Sequence, residues 1–342
     1  MRRALELAAR ALGDTSPNPV VGAVLVRDGE IVGDGWHQRA GLPHAEVEAL
    51  AAAGDRARGA TLYVTLEPCN HQGRTPPCTE AVLQAGIARV VAAVADSNPL
   101  ARGGLAWLRE RGVEVSCGLL EDEARRLNRF FFTWIARRRP FVTLKWAMTL
   151  DGRAATASGH SQWITGPEAR ALVHCERAAH DAVLVGIGTV LADNPRLDAR
   201  VDGVSKPRLR VVLDPRGRTP ADARVLDPSL GPTLVLPTRD LSEVLRGLAA
   251  RDVLSVFVEG GPTVHGAFLR AGLVDRVLAF VAPKGVGGRA AAPAVRWEED
   301  QGSKARRNPS DLQVAPPDVR GMRWTDVRVL ECGGDLLLDA TF

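Results

Sequence analysis

Short apolar runs alternate with helix-length segments along almost the whole chain, and the alternation starts twice, first near Val20 and again at Phe141. Such a pattern builds layers of helix on sheet, because each run must bury a face against the helical segments beside it. A length of 342 residues supplies two domains of ordinary size. The expected class is therefore α/β throughout. In the first series, residues 1–12 have helical period and 14–19 carry turn chemistry. Strands are expected at 20–26 and 30–33 around the turn Asp28-Gly29, and at 60–66, 88–94 and 113–117. Helices are expected at 44–53, 79–86 and 105–111. An Arg-rich helical segment over 121–139 leads to Pro140, which we take as the junction between domains 1–140 and 141–342.

The second series predicts strands at 141–146, 182–186, 209–213, 233–236, 253–259 and 276–281. Its helices are expected at 167–178, 241–250 and 263–271. Residues 287–320 lose periodicity and read as a long mobile loop. A closing hairpin is expected at 327–330 and 335–340 around Gly333-Gly334.

The formal net charge is +4 and is spread along the chain. That favours an anionic small molecule over a nucleic acid, which calls for a concentrated basic patch. The run Arg137-Arg138-Arg139 reads as a solvated linker face. Glu6 interrupts any signal-like stretch, and no apolar run is long enough to cross a bilayer. No nucleic-acid or membrane partner is expected. Five cysteines, at 69, 78, 117, 175 and 332, make a poor disulfide framework. A reducing, cytoplasmic setting fits better, and there paired cysteines hold metal. Cys117, Cys175 and Cys332 have no evident partner and read as small hydrophobes.

His44, Cys69 and Cys78 are the metal-binding types that stand together. Three protein ligands leave one position open, as a catalytic zinc needs. His44 opens a helix, Cys69 follows Pro68, and Cys78 follows Pro76-Pro77 at the start of the next helix, where thiolate is favoured. Glu46, two residues past His44, can reach the open position without ligating. A zinc-activated water attacking an amidine carbon, with Glu46 carrying the proton, is the chemistry of nucleobase deaminases, written H-x-E with P-C-x-x-C. Here His44-Ala45-Glu46 fits the first half, while eight residues separate the two cysteines. In the second domain, Gly186-Ile187-Gly188-Thr189 and Glu259-Gly260-Gly261-Pro262-Thr263 are strand-to-helix glycine turns, the second able to receive phosphate at a helix terminus. Both also fit ordinary tight turns.

The segments TSPNPVVGAVLV, HAEVEAL and TLEPCNHQGRTPPC, with LKWAMTLDGRAA, SQWITG, DAVLVGIGTVLADNPRL, RVVLDPRGRTP and VFVEGGPTVHGAFL, resemble the bifunctional deaminase–reductase family of riboflavin biosynthesis. The resemblance covers nearly the whole chain in order, apart from about 287–320. It implies a cytidine-deaminase-like three-layer domain followed by a dihydrofolate-reductase-like domain. The implied reactions are zinc-dependent deamination of 2,5-diamino-6-(ribosylamino)-4(3H)-pyrimidinone 5′-phosphate, then NADPH reduction of the ribosyl group to ribityl. It implies His44, Cys69 and Cys78 on zinc, Glu46 as proton carrier, and Asn18, His37 and Arg74 around the deaminase substrate. In the reductase it implies NADPH contacts at Ala147, Trp163, Thr189, Asp193, Gly261, Pro262, Thr263, Val264, His265, Gly266 and Ala267. Ser161, Arg177, Leu197, Arg200 and Glu259 would meet the substrate, with Arg177 and Arg200 on its phosphate and Lys145 or Asp193 donating a proton. Asn18 also fits a turn, His37 a surface histidine and Trp163 a core aromatic. The family forms oligomers, so a homo-oligomer is expected. Where the family has Asp-Pro-Asn-Pro, this chain has Asp96-Ser97-Asn98-Pro99, which implies a locally different loop. An RNA or nucleoside base deaminase, or a chain with one activity of the two, remains the alternative.

Overall fold

The computed structural model describes residues 1–73, 76–202, 207–288, 290–296 and 324–342. The chain divides into two compact units, Met1–Pro140 with Arg246–Leu254, and Phe141–Leu245 with Ser255–Phe342. The predicted contact Arg74 and most of the predicted mobile loop, 297–320, lie outside the described residues.

In the first unit, α1 (Arg2–Ala9) precedes the hairpin β1 (Gly22–Arg27) and β2 (Glu30–Trp36), then come α2 (Ala45–Ala53) and β3 (Thr61–Val64). Next are α3 (Cys78–Gln84), β4 (Arg89–Ala92), α4 (Gly104–Arg109) and β5 (Glu114–Cys117). The sheet order is β2-β1-β3-β4-β5, antiparallel within β2-β1-β3 and parallel from β3 to β5. Alternation along β1 sorts its side chains to two faces. Ala23 and Leu25 share a core with Ala45, Ala49 and Ala53 of α2 and Val82 of α3. Val24 packs with Ala4 and Leu7 of α1. Helix, sheet and helix thus make three layers.

Small residues set the spacing of those layers. A Cβ on Gly22 would run into the carbonyl oxygen of Ala4 and lie 2.8 Å from the amide nitrogen of Ala8. Gly22→Ala should therefore push α1 off the sheet and lower stability by about 1–3 kcal/mol, the usual cost of overpacking. Urea melts would read this as a lower midpoint at unchanged slope; an unchanged midpoint would show that α1 yields freely.

The segment expected as one helix over 121–139 is two, α5 (Glu121–Leu127) and α6 (Arg129–Arg137). The break is Asn128, a buried residue whose Oδ1 accepts from the Val20 N–H and whose Nδ2 donates to the Val20 carbonyl, both at 2.9 Å. Its side-chain amide pairs with Val20 as a strand's backbone would.

The second unit holds β6 (Phe141–Thr149), α7 (Pro167–Ala179), β8 (Ala182–Gly186), β9 (Leu209–Leu213) and β10 (Thr233–Leu236), with β7 (Arg153–Ala155) between β6 and α7. After α9 (Leu241–Ala249), which the division splits at Arg246, the second unit continues with β11 (Ser255–Val258), α10 (Pro262–Arg270) and β12 (Arg276–Ala282), and last β14 (Thr325–Cys332) and β15 (Asp335–Thr341). The eight strands lie in the order β10-β9-β8-β11-β6-β12-β15-β14. From β10 to β12 they are parallel, and the hairpin β14-β15 closes the sheet antiparallel. β8, β11 and β12 are buried along their full length, which is why they read as unbroken apolar runs. Three elements were not expected, β7 among them. α8 (Ile187–Asp193) follows directly from β8, hidden by its Gly-Thr start. β13 (Ala292–Pro293) pairs with β7, so the stretch expected as loop from 287 contains strand pairing at its start.

Candidate functional site

The metal-type residues of the first unit converge. His44 caps α2 in extended conformation (φ −76°, ψ 161°), which aims its ring away from the helix. Cys78 is the first residue of α3, and its N–H lies 3.5 Å from the Cys69 sulfur. The Nδ1 atom of His44 is 3.1 Å from Cys78 Sγ and 3.5 Å from Cys69 Sγ, and all three ligand atoms lie within 4.8 Å of one another. A tetrahedral zinc holding sulfur at about 2.3 Å and nitrogen at about 2.0 Å puts its ligand atoms about 3.5–3.8 Å apart. This donor set fits zinc. The Cys69 thiol is pushed down to about 4, first by the hydrogen bond from Cys78 and then by His44 against the cost of burial. Cys78, the donor, is pushed up by that same bond and by burial. The sulfur pair is thus anionic and suited to a cation.

Glu46 sits in the first turn of α2, buried, and burial first and the Cys69 charge second push it up to about 7. It lines a cleft of about 340 Å³ together with Asn18, His37, His44 and Cys69. Cys78 is behind them, 1% exposed. His37 is buried rather than on the surface. Its Nδ1 lies 3.0 Å from the Pro43 carbonyl and its Nε2 3.0 Å from the Asn18 amide nitrogen. Burial lowers its pKa, so it stays neutral, with Nδ1–H donating and Nε2 accepting. Asn18 also closes a turn, its N–H donating to the Thr15 carbonyl at 2.8 Å, so the turn and the cleft make use of the same residue.

Several residues here had no sequence signal. Glu67 accepts from the N–H groups of Asp96, Gly103 and Leu105 at 2.9–3.2 Å, and so ties the Cys69 loop to the segment before α4. The Asp96 carboxyl, pushed up to about 6 by burial, lines the cleft, as do Phe131 and Trp134 of α6. In the 96–104 loop, which departs from the family pattern, Gly104 is needed because a Cβ there would strike the Pro68 carbonyl.

In the second unit a cavity of about 1400 Å³ opens at the carboxyl ends of the parallel strands, where ligands bind in open α/β sheets. Ala147, Ser161, Trp163, Arg177, Thr189, Asp193, Leu197, Arg200 and Glu259 line it, with Gly261 to His265 and Ala267. Gly266 does not; it is buried within α10. Trp163 is 63% exposed, under the Arg170 guanidinium, and is not a core aromatic. The glycine turns have separate duties. A Cβ on Gly260 would lie 2.7 Å from the Gly186 nitrogen, so Gly260 lets β8 and β11 approach, while Gly261 (φ 31°) turns the chain into α10. His265, held neutral by burial that lowers its pKa to about 4, faces the Ala294 carbonyl at 3.2 Å through Nδ1.

The phosphate expectation for Arg177 meets a constraint. Its Nε and Nη2 bind Glu259 at 2.5 and 3.0 Å, and Nη1 donates to the Asp198 carbonyl at 3.0 Å. Burial is the strongest influence and would raise Glu259; the Arg177 charge and hydrogen bonds, joined by Lys145, together outweigh it and hold the carboxyl below its usual range. Lys145 lies 3.9 Å from the same carboxylate, its pKa lowered by burial against the pull of Glu259. Arg200 is more open, its Nη2 2.9 Å from His174 Nε2. Asp193 is raised by burial, opposed by its hydrogen bond with Ser161.

Comparison with known proteins finds matches for both halves of the chain. Residues 140–338 match the RibD C-terminal domain and residues 1–94 the cytidine and deoxycytidylate deaminase zinc-binding region. The riboflavin biosynthesis protein RibD of Aquifex aeolicus is 47% identical, over 84% of this chain and 87% of its own. That of Synechocystis is 44% identical over 98% and 96%. Acinetobacter baumannii RibD (form 1) superposes with a TM-score of 0.86 at 39% identity, covering 99% of this chain and 97% of that one. A Thermotoga maritima structure described as a diaminohydroxyphosphoribosylaminopyrimidine deaminase/5-amino-6-(5-phosphoribosylamino)uracil reductase gives 0.85 at 38%, covering 100% and 97%. A zinc-binding deaminase region and a RibD reductase domain bring Zn²⁺ and NADPH as cofactors. No helix among the described residues is long and apolar enough to cross a membrane. The chain belongs to the RibD family, the bifunctional deaminase–reductases of riboflavin biosynthesis, with a hydrolytic and an oxidoreductive domain in one polypeptide.

Proposed function

We propose that residues 1–140 deaminate 2,5-diamino-6-(ribosylamino)-4(3H)-pyrimidinone 5′-phosphate and that residues 141–342 reduce the product with NADPH. The observation that carries the first step is the cluster of His44, Cys69 and Cys78 in one cleft with the buried Glu46. Zinc held there supplies Lewis-acid activation of water. Glu46 takes one proton from the attacking water and gives it to the ring nitrogen, then carries the remaining hydroxyl proton to the departing amine, so that water and substrate become the oxo-pyrimidine and ammonia. Asn18 and neutral His37 orient the ring. Arg74 suits the phosphate by charge.

In the second step NADPH supplies hydride. The Gly261–Ala267 turn and helix, with Ala147, Trp163, Thr189 and Asp193, hold the cofactor. Ser161, Leu197, Arg200 and the Arg177–Glu259 pair shape the substrate end, with Arg200 the freer cation for its phosphate. Lys145 and Asp193 are the two groups suited to give the proton. The partner is the small pyrimidine phosphate and not a nucleic acid; the chain works in the cytoplasm as a homo-oligomer.

Feeding purified, zinc-loaded protein with the substrate tests both steps. Without NADPH, the mass spectrum should show one NH exchanged for O and nothing more; with NADPH, two hydrogens are added as well. Ammonia release without cofactor oxidation would identify a chain with one activity only, and salt-dependent RNA binding with RNA deamination would favour the base-deaminase reading.

A further inference from the structure

Apart from Arg170, which stands over Trp163, the cations lining the larger cavity fall into two groups. At the ends of β6, β8 and β11 they are paired: Arg177 and Lys145 with Glu259, Arg196 and Arg200 with Asp198. Past the ends of β9 and β10 the cavity is lined by Arg218, Arg224 and Arg239. Among the described residues, no ion pair includes any of these three. An end of the cavity with positive charge and no carboxylate to balance it calls for an anionic group on the ligand.

The acidic residues in the loops at that end do not line the cavity; Asp240, beside Arg239, accepts from the Ser242 and Glu243 N–H groups. Asp214 directly follows β9, yet it is 1% exposed and does not line the cavity. Its Oδ2 accepts from the Thr219 N–H and hydroxyl, each at 2.8 Å. In dinucleotide sites of open sheets, a carboxylate near a strand end takes the adenosine ribose diol of NADH, whereas an arginine accommodates the 2′-phosphate of NADPH. Here the carboxylate is occupied within its own loop and the arginines face the cavity.

The distances agree with this polarity. If the pyrophosphate rests at the glycine turns after β8 and β11, β9 is the next strand over, about 5 Å away, and β10 about 10 Å. One ribose ring separates a pyrophosphate from a 2′-phosphate. The nicotinamide then extends the other way, toward Lys145 and Ala147 on β6.

We propose that Arg218 and Arg239, flanking the crevice between the ends of β9 and β10, hold the 2′-phosphate of NADPH and thereby select it over NADH. The inference rests on the reductase reading above. Calorimetric titration of the full-length, zinc-loaded protein with NADPH and with NADH tests it. The unsubstituted protein should prefer NADPH by at least about tenfold. R218A and R239A should each weaken NADPH by about tenfold, as loss of one charge-assisted contact does, with NADH affinity unchanged. R218A/R239A should bring the two affinities together. Both side chains are exposed, and unaltered thermal melts would confirm that the variants are folded. Equal weakening of both cofactors, or no change in either, overturns the proposal while leaving the reductase reading intact. If the unsubstituted protein binds neither dinucleotide, the reductase reading fails and this assignment with it.

Discussion

Glu46→Ala should slow ammonia release by about 10²- to 10⁴-fold, the range that a positioned acid–base group contributes, while the protein keeps one zinc per chain. The two halves of this result have separate causes. Zinc depends on His44, Cys69 and Cys78, whose donor atoms already cluster. Glu46 adds no fourth ligand to that set. It is buried at the cleft beside them, with its pKa raised to about 7 by burial first, so near neutrality it can both take and return a proton. Alanine is the best helix former, so α2 should survive the change. Metal content by emission spectrometry and ammonia release by a coupled assay give the two readings. Deamination at the native rate would remove Glu46 from the proton path; loss of zinc would make it a ligand instead.

The second large effect is on stability. Arg177→Ala should cost about 3–5 kcal/mol, the usual penalty for stranding one member of a buried ion pair. The side chains of Arg177 and Glu259 are 14% and 8% exposed, so solvent can do little to compensate. Lys145, at 3.9 Å, is a poor substitute for a two-pronged contact. The sequence alone predicts a different outcome, a loss of substrate affinity greater than the loss of NADPH affinity, because an arginine beside a phosphate substrate reads as its ligand. The engaged guanidinium changes that expectation. Arg177→Ala/Glu259→Ala should recover much of the lost stability, since neither charge is then left alone. Denaturant melts of the unsubstituted protein, Arg177→Ala, Glu259→Ala and the double variant settle the matter. A native midpoint for Arg177→Ala, with only substrate binding lost, would return Arg177 to the phosphate.

What was legible in the sequence was local. Parallel strands covered on both faces are apolar throughout, so β8, β11 and β12 were found close to their true ends. The zinc ligands stand out because His-x-Glu and two Pro-Cys steps are rare together, and each sits at a helix start or a strand end. The features that escaped depend on distant partners. Arg177 and Glu259 are 82 residues apart, and Asn128 and Val20 108 apart; nothing in the neighbourhood of any of them announces the contact. Glu67 sits beside Pro68-Cys69 without any signal of its own, and its oxygens serve a loop some thirty residues on. β7 and β13 are too short to show a period, and each exists only because the other is there.

The Asn128 amide has a consequence for how substrate preference is inherited. It grips Val20, the neighbour of Pro19 and Val21, and it stands immediately ahead of the helix that contributes Phe131 and Trp134. Two walls of the cleft are thereby riveted together by a side chain that does not line it. Any change at this rivet would alter the width available to a pyrimidine ring with every contacting residue still in place, so tuning of selectivity among relatives can arise from a position that a contact map of the ligand would never list.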